Sequence, residues 1–335
     1  MTATLPETAT DVVLRVRDLV VEITMPRREP IRPVRGVSFD VRSGRRLGIV
    51  GESGSGKSLT ALSLMRLLPP RARIAAGHVL LRGSDLANVS EREMARVRGG
   101  QISTVYQDPM SSLNPLMTVG RQITEAIAAH EGVGRREARE RAIQVLGDVG
   151  LPQPERRIDD HPHQFSGGMR QRVMIAMAIC TSPDVLIADE PTTALDVTTQ
   201  ARIMEMLGRI VEERRMGVIL ITHDLGLASS FCDDIHVMYA GRIVESGTGG
   251  AVLSTPAHPY SEALLDSICG LDRDVERPIA AISGQPPLPH QLPPGCPFHP
   301  RCAYAQEVCT VEPPPAVTVR EQVAECHFPV GSGMA

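Results

Sequence analysis

The sequence predicts an α/β protein whose largely parallel sheet is covered on both faces by helices. Three observations carry that expectation. Two solid apolar runs, Val185–Ala188 and Val218–Thr222, are separated by a helical stretch, Thr198–Arg214. A glycine-rich segment, Gly51–Ser58, follows an apolar run at Leu47–Val50 and precedes a helical one at Leu59–Leu68. The chain of 335 residues is long enough for two ordinary domains, or for one large domain with an appendage.

Taken in order, hydrophobic alternation predicts strands over Val13–Ile23, Val37–Val41 and Leu47–Val50, with Arg27–Pro33 as a loop between the first two. Leu59–Leu68 reads as a helix with Leu62, Met65, Leu67 and Leu68 roughly on one face, stopped by Pro69-Pro70. Short strands are expected at Val79–Leu81 and Ile102–Tyr106. From Val119 to Gly150 the pattern is helical and charged, and a second helix is expected from about Gly167 to Thr181. Met174 and Met177, at helical spacing, read as core. A strand pair at Ile235–Tyr239 and Arg242–Glu245 is turned by Ala240-Gly241. After about Thr248 proline concentrates between Pro278 and Pro315, which reads as an appendage lacking a large core of its own. The expected organisation is a main domain over 1–250, with a helical subdomain at about 108–182, followed by an extension over 251–335. No internal repeat is visible, so one catalytic unit is expected.

Composition narrows the function. A net charge of −4 and a pI near 6.2 argue against coating nucleic acid, and there is no Trp to build a base-stacking platform. The longest apolar run, Val173–Cys180, is eight residues against the roughly 20 needed to span a bilayer, so membrane association is expected only through a partner. Met1–Thr10 has neither a basic start nor an apolar core, and the chain reads as cytosolic, with its cysteines reduced. Among 35 Lys plus Arg, one, Lys57, is Lys. A lone Lys marks a place where a planar guanidinium does not serve.

That place is Gly51-Glu52-Ser53-Gly54-Ser55-Gly56-Lys57-Ser58, a P-loop between a strand and a helix. Its glycines let backbone N–H groups converge on phosphate oxygens, and the helix start adds a favourable dipole. Lys57 is expected to reach the β and γ phosphates and Ser58 to hold Mg2+. Val185-Leu186-Ile187-Ala188-Asp189-Glu190 is an apolar strand delivering two acids at its carboxyl end, where open α/β sheets bind ligands. Asp189 suits Mg2+ and Glu190 suits polarising an attacking water. Phe165-Ser166-Gly167-Gly168-Met169-Arg170-Gln171-Arg172 opens a helix with a Ser and two Gly, a second anion site.

This last segment resembles the signature motif of ATP-binding-cassette ATPases, with Phe165 and Met169 replacing the usual Leu and Gln. Other segments follow the family in order: Gln107 resembles the Q-loop glutamine, Ala194-Leu195-Asp196 the D-loop, and His223 the switch histidine. The resemblance covers roughly residues 12–250. It implies a P-loop NTPase cassette, ATP and Mg2+ as cofactors, and catalytic roles for Glu190, His223 and Gln107. It implies nucleotide contacts from Gly51, Ser53, Gly54, Ser55, Gly56, Lys57, Ser58, Leu59, Gln107 and Asp189, with Mg2+ at Ser58, Gln107 and Asp189. It also implies a head-to-tail dimer in which Ser166, Gly167 and Gly168 meet the γ phosphate held by a second ATPase subunit, identical or paralogous. One departure is that Glu22-Ile23-Thr24-Met25 has no aromatic residue to stack on adenine.

Gln107-Asp108-Pro109-Met110-Ser111-Ser112-Leu113-Asn114-Pro115, His161-Pro162-His163-Gln164 and Ala257-His258-Pro259-Tyr260 resemble the ATPase subunits of oligopeptide and dipeptide importers, through about Phe328. That branch implies a peripheral motor at the cytoplasmic face of the membrane, integral-membrane permease partners and, indirectly, an extracytoplasmic solute-binding protein. Peptide is the expected solute, with nickel or another solute as the alternative. A low-turnover cassette paired with an active paralogue is a further alternative, disfavoured by the presence of Lys57, Asp189, Glu190 and His223. A soluble cassette ATPase of translation or DNA repair usually carries two cassettes or a coiled-coil insert, and neither is present. Cys296, Cys302, Cys309 and Cys326 crowd into 31 positions, which favours an iron-sulfur cluster, expected as [4Fe-4S], over zinc or unligated or disulfide-bonded thiols. His299 and His327 are less favoured ligands.

Overall fold

The computed structural model describes residues 11–26, 29–108, 112–193, 195–267 and 282–331. The described residues fall into two compact units, one within 1–15, 40–46 and 80–219 and the other within 16–39, 47–79 and 220–335. Strands β1 (Val12–Ile23), β2 (Ile31–Arg42), β3 (Arg46–Val50), β4 (Ala72–Leu81) and β5 (Ser84–Asp85) precede β6 (Ile102–Val105), β7 (Val185–Asp189) and β8 (Gly217–Thr222). They are followed by β9 (Asp234–Tyr239), β10 (Arg242–Thr248), β11 (Ala316–Val319) and β12 (Gln322–Glu325).

In the unit that holds the glycine-rich segment, β3 pairs in parallel with β9, with Val50 opposite Val237. The β9–β10 hairpin turns on Ala240 and Gly241, both left-handed at φ 45° and 83°, the conformation that a two-residue turn between right-twisted strands requires. The tail is not peripheral to this unit. β12 pairs with β10 and β11 with β12, so residues about seventy positions beyond β10 extend its sheet in the order β11-β12-β10-β9-β3. Glu245 on β10 is fully buried and accepts hydrogen bonds from the backbone N–H groups of Ala257 and His258, both at 2.8 Å, and from Gln322 Nε2 at 2.9 Å. Tyr239, Tyr260 and Phe298, the largest fully buried side chains among the described residues, form one aromatic cluster, so the tail shares this core and adds a small apolar cluster of its own, Ala257, Val319 and Ala324.

A second sheet orders β2-β1-β4. It corrects two expectations. Ile31–Pro33, expected in a loop, begins β2, and β4 starts at Ala72, well before Val79. The cause is an ion-pair cluster: Glu22 on β1, 6% exposed, takes Arg32 of β2 at 2.8 Å and Arg73 of β4 at 2.7 Å. Cross-strand charge pairs of this kind hold polar ends in a sheet that hydrophobic alternation alone does not mark. The helix after the glycine-rich segment spans Lys57–Leu64 and stops before Pro69, because Arg66 turns left-handed at φ 51° and Leu67 N–H closes on Leu62 O at 2.9 Å.

In the other unit β6 and β7 run parallel, with Ile102 opposite Val185 and Val105 opposite Ala188. Val185, Leu186, Ile187 and Ala188 are all fully buried, as expected for a strand covered on both faces. The stretch from Val119 to Gly150 is two helices, Val119–Glu131 and Arg135–Asp148, parted at Gly132, which is left-handed at φ 64°. Both pack on the helix Gly167–Ile179. A helix at Glu91–Val97, absent from the expectations, is closed by a capping box in which Ser90 and Glu93 bond reciprocally. Among the described residues no helix is long and apolar enough to cross a membrane.

Candidate nucleotide site

The glycine-rich loop leaves β3 through Gly51, whose φ of 152° and close approach exclude a side chain: a Cβ there would lie 2.2 Å from Met238 O. Gly56, at φ 107°, starts the helix Lys57–Leu64 without a side-chain cap, and a Cβ on it would meet Pro33 O at 2.6 Å. Gly241 N–H donates to Ser55 O at 2.9 Å, anchoring the loop on the β9–β10 turn. Lys57 is 7% exposed, and its ammonium donates to Gly51 O at 2.7 Å and Glu52 O at 3.0 Å. The only lysine therefore sits inside the loop, bonded to backbone carbonyls of the same turn. Ser53, Gly54 and Ser58 are exposed, while Gly56 and Leu59 are half-buried. His223, just after β8, is exposed, and the next residue, Asp224, caps the helix Leu225–Phe231 through Leu227 N–H at 2.9 Å.

In the other unit Gln107 and Glu190 are brought together. Each lies two residues past the matched pair Val105 and Ala188, so the parallel register carries both to the carboxyl ends of adjacent strands. Gln107 Nε2 donates to Glu190 Oε2 at 2.9 Å, and Thr193 Oγ1 donates to the same oxygen at 3.1 Å. Glu190 takes a left-handed backbone at φ 47°, uncommon for a residue other than glycine and a recurrent feature of working sites. Asp189, half-buried, closes β7. Ser58 and Asp189 are hard oxygen donors of the kind Mg2+ takes.

Ser166 caps the helix Gly167–Ile179 by accepting from Met169 N–H, and Gly168 is tight: a Cβ there would lie 2.9 Å from Thr199 Cγ2. Phe165 is buried with the Arg157 guanidinium 5.6 Å from its ring centroid, which explains an aromatic at that position. Gln171, buried on the same helix, donates to Pro191 O and ties the Ser-Gly-Gly helix to the residue after Glu190. Asp196 caps the helix Val197–Arg214 through Thr199 N–H at 2.9 Å, which holds its carboxyl below the usual range. Pro109, Met110, Ser111 and Ala194 lie outside the described residues.

Cys296, Cys302, Cys309 and Cys326 line one cavity with His258, Phe298 and Tyr304, and none is in a disulfide. Burial, aided by the neighbouring cysteines, pushes the Cys326 thiol up to about 12 and raises Cys296 and Cys302. Among the described residues no group of three or more His, Cys, Asp or Glu is arranged to hold a metal ion, so the [4Fe-4S] expectation finds no support in this geometry. The ring nitrogens of His299 and His327 bond to Cys296 O and Glu312 O, at 2.9 and 3.0 Å.

Sequence reasoning missed the residues that hold the loop from outside. Arg301 pairs with both oxygens of Glu52, at 2.7 and 3.0 Å, and Glu52 N–H donates to Tyr260 Oη at 2.9 Å. The one available signal was the acidic residue at a free position of the P-loop.

Residues 34–193 match the ABC transporter family, and residues 244–309 match the oligopeptide/dipeptide transporter C-terminal region. The chain is 46% identical over 329 residues to the oligopeptide transport ATP-binding protein OppD of Salmonella typhimurium, covering 98% of this chain and 97% of that protein. The chain belongs to the ATP-binding subunits of oligopeptide/dipeptide-type ABC transporters. It is also 46% identical to the dipeptide transport ATP-binding protein DppD of Escherichia coli K12, over 90% of this chain and 92% of DppD. The cassette fold agrees. A dimeric post-hydrolysis structure of the ATP-binding cassette MJ0796, bound to ADP and Pi, aligns with a TM-score of 0.62 at 28% identity, over 70% of this chain and 98% of that one. As a member of this family the cassette is an ATPase.

Proposed function

We propose that this protein is the ATP-hydrolysing motor subunit of an importer that moves peptides through a membrane permease. The arrangement of Glu190 carries the reading: a carboxylate at the end of a buried apolar strand, held by the Gln107 amide and the Thr193 hydroxyl, is built to orient a water and accept its proton. Lys57 exchanges the carbonyls of Gly51 and Glu52 for β and γ phosphate oxygens. The backbone from Gly51 through Leu59, including Ser53, Gly54, Ser55 and Gly56, surrounds the same phosphates. Ser58, Gln107 and Asp189 hold Mg2+, which when bound neutralises phosphate charge. His223 contacts the γ phosphate. Ser166, Gly167 and Gly168 meet the nucleotide of a second subunit, identical or paralogous.

The similarity to OppD and DppD supports peptide as the cargo, integral-membrane permease subunits as direct partners and a solute-binding protein as an indirect one. It also supports a place at the cytoplasmic face of the membrane and a division into a cassette over 1–250 and an importer-type extension over 251–335. A labelled-peptide uptake assay in cells tests the reading: Lys57→Ala abolishes ATP-driven uptake while permease levels are maintained. Uptake undiminished in that variant refutes it. We separately propose that Cys296, Cys302, Cys309 and Cys326 take up a [4Fe-4S] cluster; their crowding into 31 positions of the sequence motivates this, and anaerobically purified protein without iron overturns it.

A further inference from the structure

We infer that Arg301 is a positioning residue for the nucleotide loop, acting through Glu52 to set the affinity for ATP. Glu52 occupies one of the positions that the P-loop pattern leaves open. Here that position is bonded on three sides. Its N–H donates to Tyr260 Oη at 2.9 Å, its carbonyl accepts from Lys57 Nζ at 3.0 Å, and its carboxylate receives both arms of the Arg301 guanidinium at 2.7 and 3.0 Å. The peptide that engages Lys57 is thus gripped from outside by two residues that follow it by more than two hundred positions.

The Arg301 end is built with equal care for its donors. Its side chain is 4% exposed. Nη1 also reaches Tyr239 Oη at 3.3 Å, and Nε donates to Ser283 O at 3.0 Å. The five N–H groups of a guanidinium in fixed fork geometry suit this set of acceptors, whereas a lysine ammonium does not. A surface ion pair contributes little, but a bidentate pair with one buried partner imposes geometry as well as energy. Tyr239 and Tyr260 contact each other at 4.6 Å and Phe298 packs at 5.3 Å from both rings, so the grip rests on a buried aromatic triad.

A loop held in its phosphate-ready shape before nucleotide arrives does not lose that ordering entropy on binding. Release of the grip therefore weakens ATP, on the order of tenfold, within the range of couplings between linked sites. The effect falls on KM and Kd, and kcat changes far less, because Arg301 touches no reacting atom.

The inference rests on the loop being the ATP site, and the test separates the two. The full-length chain and the variants Glu52→Gln, Arg301→Gln, Arg301→Lys and the Glu52→Gln/Arg301→Gln double variant are compared in Mg-ATP binding and hydrolysis. The expected result is a rise of about tenfold in Kd and KM for either Gln variant, no further rise in the double variant, and partial rescue by Arg301→Lys. Glu52→Gln leaves Arg301 in place, so it answers even where Arg301→Gln disturbs folding. A second measurement needs no ATP. Lys57 is the only lysine, so peptide-resolved labelling by an amine-selective reagent reports directly on the loop, and its rate rises several-fold in both Gln variants. Unchanged Kd, tightened Kd or additive effects in the double variant overturn the inference, as does unchanged labelling. Failure of the wild-type chain to bind ATP, with labelling changed as expected, refutes the ATP reading and leaves the grip standing.

Discussion

Glu190→Gln isolates the chemical step. Two hydrogen bonds to the Glu190 side chain, from Gln107 Nε2 at 2.9 Å and Thr193 Oγ1 at 3.1 Å, end on one oxygen, Oε2. A glutamine amide oxygen takes that position and keeps both bonds, so the variant loses basicity without losing orientation. General-base catalysis contributes about 10^2- to 10^4-fold, which corresponds to about 3–5 kcal/mol of the activation barrier. The expected outcome is a fall in kcat of that size with ATP affinity retained. Under the proposed reading, in which hydrolysis releases a nucleotide-bridged pair of cassettes, ATP converts the variant to a long-lived dimer. Phosphate release at steady state and under single turnover gives the rate, and light scattering with and without ATP gives the mass. Thr193→Ala provides the control: it removes an orienting donor and leaves the base, at a cost of about 1 kcal/mol, several-fold in rate. Hydrolysis by Glu190→Gln within about threefold of wild type refutes the assignment, since the mechanism requires at least two decades.

Gly51→Ala is expected to cost about 2 kcal/mol or more and to abolish ATP binding, because φ is 152° and the new Cβ would lie 2.2 Å from Met238 O; urea denaturation and an ATP titration check it. Ser166→Ala is expected to cost at most about 1 kcal/mol of stability, the value of a helix cap, yet to abolish the ATP-dependent dimer of the Glu190→Gln background; a dimer that persists removes Ser166 from the interface. Glu245→Gln is expected to cost about 1–3 kcal/mol at low pH, because Oε1 faces Ala257 N–H and Oε2 faces His258 N–H, and the amide N–H2 removes one of these two acceptors. Burial raises the Glu245 carboxyl above its ordinary value of 4.5, so the folded state holds its proton more tightly and the group's contribution to stability falls as pH rises past 4.5. Urea midpoints in that window decline in wild type and are flatter in the variant; equal slopes refute the burial argument.

Much of the chemistry was legible because it is written in consecutive residues. Gly51–Gly56 joins a strand to a helix that begins at Lys57, two residues earlier than expected, and Asp189 and Glu190 follow an apolar run as expected. The Ser90–Glu93 capping box was equally readable from its spacing and simply passed over. The misread boundaries share one cause. Local periodicity does not show Arg32 and Arg73 converging on Glu22, so β2 and β4 are longer than alternation implies. Nor does it show Arg66 reversing the chain before Pro69-Pro70 does. β11 and β12 are only four residues each and carry no clean alternation, with Gln322 buried and Val323 exposed, and their identity as strands depends on β10 offering an edge.

The sequence by itself determined the phosphate loop with its single lysine, the acidic end of β7 and the cassette motifs, because a loop, a cap or a strand end depends on neighbours within a few residues. Tertiary structure alone decided which remote groups hold those parts: Gln107 on Glu190 through the register of β6 and β7, and Arg301 with Tyr260 on Glu52. Such a partner is selected by the geometry of its donors at a sequence separation of 249 for Arg301 and Glu52, a distance over which no local pattern carries information.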